Sequence, residues 1–429
     1  MAVNTNAKLQ NALIYSIYVR NHTEEGTFLS IIPDLDRIKA LGTDIIWFLP
    51  IHPIGIEGKK GSLGCPYANR DYRTVNPEYG SLEDFVMLVN EIHARGMLCM
   101  IDVVYNHTSP DSTLRRDHPD WFYLDAEGNF GNKIGDWDDV IDLDYDKLGL
   151  WTYQIETLTM WAKLVDGFRC DVASMIPMDF WRKARAAVER VHPNFIWLAE
   201  TVHSPLAAEA RALGYVSNTD YEMYDAFDME YDYDIRLDFD AYRDGKTPLS
   251  TYLNMLNYQE AQMPPGYNKM RCLENHDQPR IASIIRNREA LENYTAFLFF
   301  LKGTTLIYAG QEAADRNQPS LFDVDPVNWD NGCDLSPLMT RLATVHKYIL
   351  DPDDSFRAES KDDHDIAICH RENRRAYKLG IFSLKGESTL LKVDLPDGTY
   401  RNEINGQPVM VVNHVIALTG EPVIIRVEK

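Results

Sequence analysis

Short apolar runs that end in polar or turn residues alternate along this chain with longer stretches whose apolar positions fall at helical spacing. The first run, 12–19, is rich in β-branched and aromatic residues and reads as a strand. Residues 31–41 follow with helical spacing, and Gly42 supplies a C-terminal cap signal. A second strand is expected at 44–49, stopped by Pro50. Ser81-Leu-Glu-Asp84 opens the next helix with a capping-box-like pattern, Gly96 closes it, and 97–104 is the third strand. The rhythm then breaks. Between His107 and Gly149 no long periodic element occurs, and Trp121, Phe122, Tyr123 and Trp137 stand among many Asp and Gly residues. This stretch is expected to be an excursion with a small core of its own.

Alternation then resumes. Helices are expected at 150–165, 179–191, 204–213, 247–260, 286–301 and 336–348, and strands at 167–170, 195–199, 269–273 and 304–308, with a sixth strand near 221–227. Eight strands alternating with helices predict an α/β chain folded as a (β/α)8 TIM barrel, whose active sites lie on the loops after the C-terminal ends of the strands. The excursion would then be a short subdomain inserted after strand three. From about Ala358 the pattern changes to period-two alternation at 365–369, 376–382 and 423–427, separated by Asp-Gly and Asn-Gly turn signals. That predicts a C-terminal antiparallel β-sandwich domain. The expected divisions are a barrel at 1–106 and 150–350, the insertion at 107–149 and the β domain at 351–429.

Composition narrows the function classes. Apolar residues make up 45% of the 429, enough for a sizeable core, and no run approaches the roughly 18 apolar residues of a membrane span. The net charge of −22 argues against nucleic acid and anionic membranes, which require a basic footprint. The first residues carry neither a basic nor an apolar signal region, and the six cysteines are scattered with no CxxC pair, so the expectation is a reduced, cytoplasmic protein. Cys99, Cys170 and Cys272 fall in predicted strands and are expected in the core.

Four strands end in polar residues: Asp102-Val-Val-Tyr-Asn-His107, Gly167-Phe-Arg-Cys-Asp171, Trp197-Leu-Ala-Glu200 and Glu274-Asn-His-Asp277. Three of them deliver a carboxylate to one end of the barrel: Asp171, Glu200 and Asp277. Glycosidic hydrolysis needs one carboxylic acid to protonate the leaving oxygen and one carboxylate to attack or to activate water. Arg169, on the same strand face as Asp171, would keep that carboxylate ionised. Glu200, preceded by Leu198 and Ala199, would sit in drier surroundings that raise its pKa, as a general acid requires. Asp277, beside His276, would hold sugar hydroxyls. The alternative is that these acids form ion pairs capping strand ends.

The four motifs, in this order, resemble those of the α-amylase family of glycoside hydrolases (family 13). The resemblance implies a catalytic trio of Asp171 as nucleophile, Glu200 as acid/base and Asp277 as transition-state stabiliser. It implies that Arg169, His107 and His276 bind the nucleophile or its sugar and that Tyr67 stacks on that sugar. Asp142-Leu-Asp144 is similar to the family's motif at the end of the inserted subdomain. His276-Asp-Gln-Pro-Arg280 resembles the oligosaccharide-acting branch, which adds Arg280 to the expected substrate contacts. Many members carry a Lys-His pair shortly after the nucleophile, serving a leaving-side glucose and a calcium ion, whereas this chain has Ser174-Met175. No metal site and no cofactor are therefore expected, with Ca2+ left open because Asn106 matches a family calcium ligand.

The expected function is a retaining hydrolase of α-1,4-glucosidic bonds in malto-oligosaccharides, with an α-glucan oligosaccharide as substrate and neither nucleic acid nor membrane as partner. Rivals are an exo-α-glucosidase or glucanotransferase of the same family and, in another class, a non-catalytic carbohydrate-binding protein. Trp121 and Trp137 would either line a glucan cleft or pack the excursion. Tyr231 and Tyr233 would be sugar platforms or part of a solvated acidic face, and Asn268, Lys269 and Arg271 would mark the start of a strand.

Overall fold

The computed structural model describes every residue except Met1, Val3, Asn4 and Asp136, and all side chains of the remainder except that of Ala7. Eight parallel strands close into a barrel: Leu13–Ile17, Ile45–Phe48, Leu98–Val103, Gly167–Cys170, Ile196–Ala199, Met229–Tyr231, Lys269–Arg271 and Thr304–Tyr308. Each pairs with its neighbour in the chain, and the first closes on the last with Leu13 opposite Thr305. The strands are buried on both faces, which is why they read as continuous apolar runs rather than alternating ones. Register carries this order to the site. Asp102 lies beside Arg169, which lies beside Leu198, so the polar ends of the third, fourth and fifth strands finish level.

Three expectations are corrected. The sixth strand is Met229–Tyr231, not 221–227, and Asp220–Met223 is a helical turn. Thr219 and Glu222 form a full capping box there, a helix signal that outweighs the apolar content of the segment. The strand's middle residue is Glu230, a charge that hides it in the apolar pattern, and a further helix, Tyr233–Arg243, follows it. The helix expected at 31–41 is two shorter ones, Phe28–Ile31 and Leu35–Ala40, joined by a 3-10 turn that contains Pro33.

The described residues of the excursion form no core of their own. The excursion leaves the barrel at His107–Thr108 and returns at Ile141–Asp142, which pair antiparallel with His107 opposite Asp142. Its Phe122, Ile141 and Leu143 join the main barrel core, while Ile134 and Trp137 pack against Val172, Met175 and Ala210. With so few apolar residues, the segment buries them only by leaning on the barrel.

After the closing helix Ser336–Tyr348 come two antiparallel four-stranded sheets. One is built from Ser355–Lys361, Ile366–Glu372, Ala376–Ser383 and Val423–Glu428, the other from Ser388–Lys392, Val415–Thr419, Pro408–Val412 and Gly398–Arg401. Ile368, Ile381, Leu391, Ile416 and Ile425 fill the space between them as a sandwich core. Phe382 reaches the other way and packs on Phe297 and Phe300 of the barrel's outer helix Arg288–Phe300. Cys99, Cys170 and Cys272 are buried, and among the described residues no helix is long and apolar enough to cross a membrane.

Lys269 is more than the start of a strand. It is fully buried, and its ammonium lies 3.2 Å from Glu230 and 3.3 Å from Asp234 and bonds to Asp220. Burial alone would lower its pKa, but Asp220, Asp234 and Glu230 outweigh that and keep it charged. The cluster joins the sixth and seventh strands to the loop after the fifth. Lys269→Met leaves these acids uncompensated in the interior and should cost about 3–5 kcal/mol, the usual penalty for breaking a buried pair from one side. Denaturant unfolding measures it, and an unchanged midpoint would contradict the role.

Candidate active site

The site is organised by one guanidinium. Arg169, in the middle of the fourth strand, is fully buried, and its Nη1 donates to Asp171 Oδ1 at 2.7 Å and to both oxygens of Asp102 at 3.0 Å. Its Nη2 lies 2.7 Å from Oε1 of Glu200, and its Nε donates to the Tyr231 hydroxyl at 3.1 Å. The rings of Trp47, Tyr67 and Tyr231 surround the cation with centroids 5.3 to 5.4 Å from its central carbon. A buried arginine holds its charge, so three carboxylates gather round a fixed positive centre.

The fourth strand ends abruptly after Asp171. Val172 takes φ 38° and ψ 38°, a left-handed conformation that a β-branched residue rarely adopts and that costs on the order of 1–3 kcal/mol. The turn aims the Val172 N–H at Oε2 of Glu200, 2.9 Å away. Glu200 is thereby gripped on both oxygens. Burial pushes its pKa well above the usual glutamate range, Arg169 pulls the other way, and the negative charge of Asp171 and Asp277 adds to the upward push. Burial likewise raises Asp102, to about 7, against the opposing pull of Arg169.

Asp277 stands at the opposite wall with its side chain 39% exposed, the most open of the three acids. Its neighbour His276 is buried, and Nε2 lies 2.7 Å from the Tyr67 hydroxyl, which in turn donates to Asp102 at 2.9 Å. A neutral His276 with its proton on Nε2 satisfies this chain, and burial lowers its pKa well below the usual histidine value. The Tyr67 and His276 rings are stacked, 5.2 Å apart and 13° from parallel. His107 Nε2 lies 3.8 Å from Asp171 Oδ2 on the remaining side. Asp171, Glu200, Asp277, Tyr67, His107 and His276 all face one cavity of about 330 Å³, with Arg169 directly behind it.

Residues 13–364 match the family described as alpha amylase, catalytic domain, and residues 357–425 match the bacterial alpha amylase C-terminal domain. The chain belongs to the α-amylase family. A crystal structure of an alpha-amylase from Lactobacillus plantarum superimposes with a TM-score of 0.95 at 44% identity, covering 98% of this chain and 100% of that one. The noncanonic maltogenic alpha-amylase AmyB from Thermotoga neapolitana follows with a TM-score of 0.86 at 32% identity, again covering 98% of this chain and 100% of the other. In sequence, the alpha-amylase MalA of Haloarcula japonica is 27% identical over 340 residues, 75% of this chain and 46% of that protein. An alpha-1,4-glucan:maltose-1-phosphate maltosyltransferase of Chlorobaculum tepidum is 30% identical over 233 residues, 48% of this chain and 35% of that protein. The chain thus spans less than half the length of these two relatives.

One residue expected in this amylase-type site is elsewhere. Arg280 is fully buried outside the cavity, donating to Glu274 Oε1 at 2.7 Å, to the Ala309 carbonyl at 2.8 Å and to the Asn317 carbonyl at 3.1 Å. It braces the loop after the eighth strand, and Gln278 lines the cavity instead. Tyr231 supports Arg169 from behind, whereas Tyr233 reaches the cavity; both are buried, as is Asp232, so no solvated acidic face exists there. Trp121 stacks on His118 at 3.7 Å and packs the excursion, while Trp137 lines the cavity. Sequence reasoning missed Val202, His203, Leu206, Leu321 and Phe322 in the lining. Only the first three carried a signal, their closeness to Glu200.

Around Asn106, the expected calcium ligand, protein groups already engage the donors. The Asn106 amide nitrogen lies 3.3 Å from Asp142 Oδ1, and the other Asp142 oxygen takes the Lys133 N–H at 2.7 Å. The Lys133 ammonium donates to the Leu143 carbonyl at 2.6 Å, so a cation already serves this junction of excursion and barrel. Calcium needs roughly six to eight oxygen ligands, and among the described residues no group of three or more His, Cys, Asp or Glu is placed to hold a metal ion.

Proposed function

We propose that this chain is a retaining glycosidase that cleaves α-1,4-glucosidic bonds of malto-oligosaccharides. The observation that carries the reading is the pair of 2.7 Å contacts from the two terminal nitrogens of Arg169 to Asp171 and Glu200, at the edge of a cavity that Asp277 also faces. A sugar seated against Tyr67, His107 and His276 presents its anomeric carbon to Asp171. Glu200, kept protonated by burial, gives its proton to the leaving oxygen as Asp171 forms the glycosyl ester, then takes a proton from the incoming water. Asp277 meets the positive charge that develops on the ring. Malto-oligosaccharides are the favoured substrate because the maltogenic Thermotoga enzyme and the Lactobacillus amylase share the whole fold at 32% and 44% identity. Glucan transfer is the second reading, favoured by the 30% identity to a maltosyltransferase.

A cytoplasmic location belongs to the same proposal, supported by six cysteines that are all free. The charge of −22 supports a neutral carbohydrate rather than a nucleic acid as partner. We also infer that no calcium is needed, since Lys133 holds this junction, its N–H on Asp142 and its ammonium on the Leu143 carbonyl.

Asp171→Ala should abolish release of reducing sugar from maltoheptaose, by four orders of magnitude or more, while the melting temperature stays near that of the parent. In the parent, the alkaline limb of kcat/KM should lie well above the ordinary glutamate range, because activity is lost only as pH rises through the raised pKa of Glu200; Glu200→Gln should erase that limb on an aryl maltoside. Asp171→Ala activity within tenfold of the parent would overturn the assignment. EDTA should leave the melting temperature unchanged, and Lys133→Met should lower it. A fall on chelation that calcium reverses would contradict the lysine's role.

A further inference from the structure

The cavity has two chemically distinct ends. Around Asp171 and Asp277 the lining is Tyr67, His107 and His276. An apolar group stands close to Glu200: Val172, Val202 and Leu206 face the cavity and belong, with Trp137 beside His107, to one packed cluster backed by Met175, while Thr201 and His203 are the polar lining next to them. Where the resemblance leads one to expect a lysine and a histidine, Ser174 and Met175 are buried. The Ser174 hydroxyl accepts the Val202 N–H at 3.2 Å and so fastens the loop after the fifth strand to the wall. Val172 keeps its apolar side chain in that wall despite a backbone conformation that favours glycine. His203, which also lines the cavity, stacks on Tyr233 at 4.7 Å, and burial lowers its pKa, so it is neutral at pH 7.

The proton donor of a glycosidase stands beside the leaving oxygen, so residues flanking Glu200 meet the leaving group and, in the second half-reaction, the acceptor. Sugar hydroxyls turned toward an apolar wall give up hydrogen bonds to water without replacement, whereas an aryl or alkyl group gains from leaving water. We propose that Val172, Val202 and Leu206 form an apolar leaving-group and acceptor subsite that takes aryl or alkyl alcohols in preference to glucose. This rests on the glycosidase reading above. In the transfer, the bond from the anomeric carbon to the leaving oxygen breaks as the bond to Asp171 forms, and Glu200 hands its proton to that oxygen. The acceptor alcohol's oxygen then bonds to the anomeric carbon, its proton returns to Glu200, and the bond to Asp171 breaks. No further reactant is consumed.

The full chain is incubated with maltotetraose as donor and with benzyl alcohol and isotopically labelled glucose as acceptors at equal concentration, and transfer products are separated by chromatography with mass detection. Benzyl glycosides should outnumber labelled oligosaccharides about tenfold, the discrimination a modest apolar pocket provides. Leu206→Gln, at a partly exposed helix position, should bring the ratio close to parity, and Val202→Thr, which keeps the side-chain shape, should move it the same way. Labelled glucose accepted as well as benzyl alcohol, or a ratio unmoved in both variants, would overturn the proposal. A parent that hydrolyses maltotetraose but forms no benzyl glycoside overturns this inference alone; a parent that leaves maltotetraose intact overturns the glycosidase reading together with it.

Discussion

The guanidinium of Arg169 is the charge on which the site depends. It is buried at the centre of the barrel mouth and touches Asp102, Asp171 and Glu200 at once. One positive charge cannot keep three buried carboxylates ionised, so the cluster retains protons to higher pH than isolated acids would. Burial raises Glu200, and Asp102 to about 7, and the excess of negative charge adds to both shifts. In the proposed reaction a protonated carboxylic acid must stand close to a second carboxyl group, and one cation buried among several acids favours that arrangement.

The rest of the structure keeps that arrangement from collapsing. The register between the third, fourth and fifth strands sets Asp102, Arg169 and Leu198 level, so Asp171 and Glu200 emerge side by side. The aromatic rings around Arg169 exclude water, and the strained Val172 turn fixes Glu200 from above. Arg280 and Lys269 do comparable work one layer out, each neutralising buried acids that tie a catalytic loop to its strand. These braces hold the cleft open and polar at one end while the apolar cluster shapes the other.

Much of this was readable in the residues. Strands buried on both faces announce themselves as apolar runs, and the polar residues at their ends gave Asp171, Glu200, Asp277, Arg169 and His276 directly. The failures share a physical cause: charge buried in the interior looks like surface in a sequence. Glu230 hid the sixth strand, the start of the seventh at Lys269 was legible but not the buried acids around it, and Arg280 passed for a substrate contact although Glu274 had already claimed it. Leu321 and Phe322 lie on an irregular loop whose path depends on tertiary contacts such as the Asn21 bond to Ser320, and no local pattern marks them as cavity lining. The excursion was misjudged because its few aromatics suggested a separate core, whereas they pack on the barrel.

The central claim is that Asp171 attacks and Glu200 protonates across one shared site, which makes the reaction a double displacement. Proton NMR of the first product released from maltoheptaose, recorded before mutarotation, tests this most directly. The account predicts that the new reducing end appears as the α-anomer. Initial release of the β-anomer would show that water attacks directly and would contradict the roles assigned to both carboxylates.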